Sequence, residues 1–314
     1  AQGVALLAVS TVEEAAALRD AGITAELLML SSTALPEEIA ALLARDVILT
    51  VGSADAARAV SDAAAARGVT ARIHVKLDTG MGRYGFLPQE TEEAAALLQA
   101  LPALRVEGVF THFAEAADRR CTARQYRRFA AGVRILRAAG IDPGLRHVCA
   151  STAFLRYPEL HLDAVRLGSA LLGRLSVPDT LGLEKIGWLE TRVAELKTLP
   201  AGWSVGYTGA YRTKRETRLA LLPVGYTSGI GVTEEPNALR LRDRLRRVLH
   251  AGRRLLHTDG LTVQINGHCC PVRGVVAAAQ LEADVTELPC AVGDTVRVEV
   301  RPKFVDSGIP REYR

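Results

Sequence analysis

The chain has 314 residues, 48% hydrophobic and 24% charged, with a formal net charge of +4 at pH 7. That length can bury the core of a barrel plus a smaller domain. The charge is too modest to imply nucleic-acid binding, and no apolar run is long enough to span a membrane. The five cysteines are odd in number and lack paired metal spacing, which predicts free thiols in a reducing, cytoplasmic setting rather than a metal site at His268-Cys269-Cys270.

Strand-like apolar runs alternate with alanine-rich helical stretches through the first half. The strands read as Val4–Val9, Ala25–Leu30, Asp46–Val51, Arg72–Leu77, Val106–Thr111, Leu145–Cys149 and Leu162–Val165. Helices fall between them at Thr11–Asp20, Pro36–Arg45, Ala54–Arg67, Glu90–Gln99 and Thr122–Ala139, with Thr11 and Ser53 at N-cap positions and Gly22, Gly68 and Gly140 just past helix ends. This alternation predicts parallel β/α architecture. A closed (β/α)8 barrel has one strand more than these, and the first residue is Ala1, so the expectation is a barrel whose first β/α unit is missing; an open doubly wound sheet is the competing arrangement. Beyond about residue 180 the pattern becomes mostly β. Strands are expected at Arg192–Leu196, Arg218–Leu222, Thr262–Ile265, Arg273–Val276 and Thr295–Val300, with a turn at Asn266-Gly267 and a basic amphipathic helical insert near 237–256. The expected domains are 1–180 and 181–314.

Several strand ends carry polar residues, and the C-terminal ends of barrel strands are where such folds place their chemistry. Ile73, Val75 and Leu77 run into Asp78, Thr79 and a glycine-rich loop containing Arg83; His112 follows a second strand; Ser151 opens a helix after a third, where backbone N–H groups favour phosphate.

The stretch from Lys76 to Gly85 resembles K-x-D-T-G-M-x-R-x-G, the signature of alanine racemases, barrel enzymes that use pyridoxal 5'-phosphate (PLP). Further segments resemble the same family in the same order: T-H-F-A-x-A-D at 111–118, D-x-V-R at 163–166, Val205-Gly206-Tyr207 and Pro223-Val224-Gly225-Tyr226. The resemblance implies a PLP-dependent amino-acid racemase, with alanine as default substrate and serine as an alternative, supplying D-alanine for cell-wall precursors. It implies that His112 packs over the cofactor ring and that Arg166 hydrogen-bonds its pyridine nitrogen. Ser151, Gly168, Ser169 and Tyr226 would hold the phosphate. Tyr207 would be a catalytic acid/base supplied in trans by the second copy of a homodimer. Lys76, Arg83 and the Ala278 backbone would serve the substrate carboxylate. Departures from the pattern include Ala150, Leu167, Leu172, Ser228 and Ala279. The family also carries its cofactor on a lysine in the first barrel unit, whereas the first lysine here is Lys76. The resulting expectation is a truncated or retired racemase, inactive as this chain alone.

Overall fold

Residues 4–175, 177, 181–232, 260–306 and 308–312 are described by a computed structural model. The basic insert expected near 237–256 lies outside them. The chain divides into two compact units, Ala1–Lys185 and Ile186–Arg314.

In the first unit six strands alternate with helices: β1 (Leu6–Val9), α1 (Val12–Asp20), β2 (Glu26–Ser32), α2 (Pro36–Leu43), β3 (Val47–Val51), α3 (Ala54–Ala66), β4 (Ala71–Lys76), α4 (Thr91–Gln99), β5 (Leu104–Phe110), α5 (Arg119–Ala138), β6 (Leu145–His147) and α6 (Ser151–Arg156). Each strand pairs in parallel with the next, giving one sheet in the order β1 to β6. This monotonic order is that of consecutive barrel units. A doubly wound sheet would reverse its strand order at a switch point, and this one does not.

Thr11 and Ser53 cap α1 and α3 by accepting the backbone N–H of Glu14 and Ala56. α5 begins earlier than its apolar pattern, because Asp118 caps it through the N–H of Cys121. The seventh expected strand, Leu162–Val165, makes no ladder. Leu162 takes a positive φ of 52°, and the Asp163 carboxylate accepts from the backbone and side chain of Arg146. The sheet therefore holds six of the seven strands expected from the sequence.

Strand alternation separates two environments. Ile73, Val75 and Leu77 join the apolar cluster that includes Ile39, Val60, Val109 and Phe129. Arg72, His74 and Lys76 point the other way. Burying Ile73 and Val75 completely is worth about 2 kcal/mol each, which fixes the register and forces the polar set inward.

The second unit is antiparallel: β7 (Trp188–Arg192), β8 (Glu195–Leu199), the short pair β9 (Ser204–Val205) and β10 (Tyr211–Arg212), β11 (Thr217–Leu222), β12 (Thr262–Ile265), β13 (His268–Arg273), β14 (Leu281–Asp284) and β15 (Thr295–Glu299). The large sheet runs β7-β15-β12-β13-β14-β11-β8. Its two edges, β7 and β8, are joined by Val193 and Ala194 alone, so the sheet must curl. Asn266 and Gly267, both at positive φ, close the β12–β13 hairpin as expected for a tight two-residue turn. The expected strand Arg192–Leu196 straddles the β7–β8 corner, and Arg273–Val276 lies beyond the true strand, which ends at Arg273.

Candidate active site

The loop after β4 is built around one carboxylate. Asp78 is buried and accepts four backbone N–H groups, from Gly80 and Met81 at 2.8 Å on Oδ1 and from Gly82 and Arg83 at 2.8 and 3.1 Å on Oδ2. Burial alone would raise its pKa, but these donors outweigh it and hold the carboxyl below its ordinary range. The loop returns to its own strand, with Phe86 N–H on the Lys76 carbonyl and Asp78 N–H on the Phe86 carbonyl. Gly85 must be glycine, since its φ is 121° and a Cβ there would sit 2.6 Å from the Asp78 nitrogen.

Lys76 ends β4 buried, with its ammonium against the faces of Tyr84 (5.3 Å) and Phe110 (5.4 Å). Burial, then Arg83 and Arg166, lower its pKa to about 8. Arg166 is held by its two terminal nitrogens. Nη1 donates to His147 Nδ1 (2.6 Å) and the His147 carbonyl (3.0 Å), and Nη2 donates to the carbonyls of Thr111 (2.8 Å) and Val148 (3.5 Å). The remaining guanidinium hydrogen, on Nε, has no partner among the described residues. Burial brings the Arg166 pKa down to about 10. His112 is lowered to about 4 by burial and by Arg166, Arg83 and Lys76, so its imidazole is neutral at pH 7. Lys76, Arg83 and Arg166 form no ion pair among the described residues; Arg83 is exposed, but Lys76 is buried, and a buried cation without a counter-charge calls for an anion.

A cavity of about 640 Å³ opens at Arg166 and His112, lined also by Ser151, Gly168 and Ser169, while Arg83 lines a second cavity with Asp78 and Tyr84. That volume is ordinary for a small-molecule site. Ser151 is the first residue of α6 rather than its cap. Its Oγ accepts the N–H of Gly168 (3.2 Å) and of Ala170 (3.1 Å), which leaves the hydroxyl hydrogen free to donate. The Gly168 N–H is therefore spent on Ser151, and the Ser169 N–H is the backbone donor left at this rim. The donor set fits PLP: a permanent cation with one uncommitted N–H for a ring nitrogen, and a hydroxyl and an amide for a phosphate.

In the second unit Tyr226 and Ala278 are zipped together. The Tyr226 N–H donates to the Ala277 carbonyl, and Thr227 donates to the Ala278 carbonyl through both N–H (3.1 Å) and Oγ1 (2.6 Å). Gly225 permits this, because a Cβ there would lie 2.1 Å from the Ala277 oxygen. The Ala278 N–H has no partner among the described residues. Tyr207 follows Gly206, whose missing side chain faces Val275 on the neighbouring turn. Both tyrosine side chains are exposed, Tyr207 at 70% and Tyr226 at 54%.

Two features of the first unit escape the motif reading. His74 and His147 are buried and hydrogen-bonded to each other, Nδ1 to Nε2 at 3.0 Å, behind Arg166. The signal was present in the alternation of Arg72, His74 and Lys76 with apolar neighbours. The Asp78 nest was likewise legible as an aspartate placed just ahead of a glycine-rich turn.

A parallel β/α sheet bearing an anion-seeking cavity, followed by a curled antiparallel domain, defines a two-domain enzyme class. The family model described as alanine racemase, N-terminal domain, matches residues 1–176, and the one described as alanine racemase, C-terminal domain, matches residues 186–303. Alanine racemase from Desulfovibrio desulfuricans is 36% identical over 302 residues, covering 94% of this chain and 75% of that protein. Alanine racemase from Methanococcus maripaludis is 34% identical, again with coverages of 94% and 75%. The crystal structure of alanine racemase from the D-cycloserine producer Streptomyces lavendulae superposes with a TM-score of 0.78 at 32% identity, covering 96% of this chain and 75% of that one. The chain belongs to the alanine racemase family in both domains.

This finding corrects three expectations. The N-terminal domain model matches residues 1–176, which runs against the expectation of a missing first unit. The same match runs against a chain lacking the cofactor-lysine region. The presence of both racemase domains is the architecture of an active enzyme, against a retired or inactive chain. Among the described residues no helix is long and apolar enough to cross a membrane.

Proposed function

We propose that the family's reaction, PLP-dependent interconversion of L- and D-alanine, is carried out here by a cofactor cavity in the first unit and an acid/base tyrosine in the second. PLP, when bound, supplies the electron-withdrawing ring that acidifies the substrate Cα–H. With PLP bound, the uncommitted Arg166 Nε–H would be the donor for the ring nitrogen, and Arg166, as a permanent cation, would oppose its protonation. His112, neutral at pH 7, would pack on the face of the bound ring. Ser151 Oγ–H, the Ser169 N–H and the Tyr226 hydroxyl take the phosphate, with Gly168 shaping the turn. Arg83, held by the Asp78 loop, Lys76 and the Ala278 N–H serve the substrate carboxylate. Tyr207 moves a proton to or from Cα on one face.

The single observation that carries this reading is the Arg166 clamp: four guanidinium hydrogens are committed to protein and one is left over beside the cavity. The exposure of Tyr207 supports a homodimer in which each copy lends this tyrosine to the other's cavity. The five cysteines are free, as in a cytoplasmic protein. The test is formation of D-alanine from L-alanine by the chain with added PLP. Loss of that activity in Tyr207→Phe is expected, and full activity in that variant would refute the assignment.

A further inference from the structure

Arg166 is the last visible member of a buried polar file, not an isolated cation. Behind it His147 stacks flat on Phe110, with ring centroids 4.8 Å apart and planes 8° from parallel. His147 in turn meets His74 on the next-but-one strand. The His74 ring fills the space where residue 108 would carry a side chain, since a Cβ at Gly108 would lie 2.5 to 2.6 Å from three of its ring atoms. Both imidazoles are thus held in place by packing before any hydrogen bond is counted.

The hydrogens in this file are determined by elimination. A guanidinium only donates, so His147 Nδ1 must accept from Arg166 Nη1 and be unprotonated. The hydrogen of a neutral His147 then sits on Nε2, which donates to His74 Nδ1. That in turn leaves the hydrogen of His74 on its own Nε2.

We propose that His147 and His74 are positioning residues for Arg166: a one-way hydrogen-bond chain from Arg166 to His147 to His74 locks both imidazoles in the neutral Nε2–H tautomer and so fixes which guanidinium hydrogen is left for the cavity. If His147 were protonated on Nδ1, N–H would face N–H, Nη1 would be expelled, and Nε–H would turn away from the ligand.

The surroundings agree. Burial, then Arg166 and His74, push His147 down to about 2. Burial lowers His74 to about 4, with Arg72 on its own strand and Arg166 acting in the same direction and Glu107 on β5 and Glu26 on β2 opposing. The two carboxylates that could charge His74 are themselves bonded to Arg72, Glu107 at 2.8 Å and Glu26 in close contact. The consequence for catalysis rests on the cofactor reading of the cavity; the tautomer chain does not.

The experiment is two-bond 15N–1H correlation of the chain labelled with [15N]histidine, with PLP titrated by visible absorbance. Both buried histidines are expected as Nε2–H tautomers that stay neutral between about pH 5 and pH 8. An Nδ1–H or charged form of either would overturn the proposal. In His74→Leu the His147 Nε2–H loses its acceptor while Arg166 still occupies Nδ1, so the Nε2–H signal should move to a non-hydrogen-bonded shift and exchange faster, and PLP should bind about tenfold more weakly. Unchanged His147 signals in that variant would overturn the chain. His74→Gln offers an amide oxygen to His147 and should restore both readouts; if His74→Leu does not fold, a wild-type His147 pattern and PLP affinity in His74→Gln uphold the proposal and an altered pattern overturns it. A wild-type chain with the expected tautomers that fails to bind PLP would remove the cofactor reading and leave the chain standing.

Discussion

Replacing Asp78 with asparagine tests the loop that carries Arg83. The carboxylate serves four N–H donors, two on each oxygen. Asparagine keeps one oxygen for Gly80 and Met81 but turns an NH2 toward the N–H groups of Gly82 and Arg83. Two hydrogen bonds to a charged acceptor are lost, each worth about 1.5 to 3 kcal/mol. The loop residues Gly82 and Arg83 are exposed, so water recovers part of this, and the lower end applies: about 3 kcal/mol in total. Urea unfolding followed by far-UV circular dichroism reads the loss, and amide exchange at Gly82 and Arg83 should accelerate most. The pH dependence has a defined sign. The folded carboxyl lies below its ordinary value of 3.8, so its stabilisation is complete above that value and disappears as pH falls through the lower folded value. The difference between wild type and Asp78→Asn should therefore shrink in acid. A loss under about 1 kcal/mol at neutral pH would refute the reasoning, because it would mean that the four bonds contribute little beyond what water supplies.

Gly108→Ala inserts a methyl group into the His74 ring and should cost about 1 to 3 kcal/mol by thermal or urea unfolding. Arg166→Lys cannot reproduce a planar four-bond clamp and leaves the Thr111 carbonyl and His147 Nδ1 without their donor; PLP affinity, read by absorbance titration, should fall at least about tenfold. Lys76 is lowered from 10.5 to about 8, so the folded state releases its proton first. The wild type should gain stability relative to Lys76→Met as pH climbs through that window, and parallel pH profiles for the two would refute the burial argument.

The first unit was legible because its strands are buried on the helix side, so apolar runs such as Val47–Val51 announce themselves and caps such as Thr11 and Ser53 mark the helix starts. Leu162–Val165 misled for the same reason: it is apolar enough for a strand, but Leu162 takes a left-handed φ and the Asp163 side chain takes the Arg146 N–H that a ladder would need. Strand positions in the second unit were harder, since half-exposed strands carry arginine and glutamate on their outer face, and β14 (Leu-Glu-Ala-Asp) has little β character on its own. The motif residues were readable from their resemblance. For the supporting histidines, alternation marked only His74 as facing the polar side, and nothing in a one-dimensional string pairs position 74 with position 147; only strand order brings them together.

The Asp78 loop also settles what a visiting anion will find. Four successive amides curled into a concave turn are a ready receptor for a free carboxylate or phosphate, and here the chain has filled that receptor with its own side chain. Anion recognition is thereby moved off the backbone, whose receptor is already occupied, and onto the Arg83 side chain, whose planar fork can take an incoming oxyanion through two parallel hydrogen bonds.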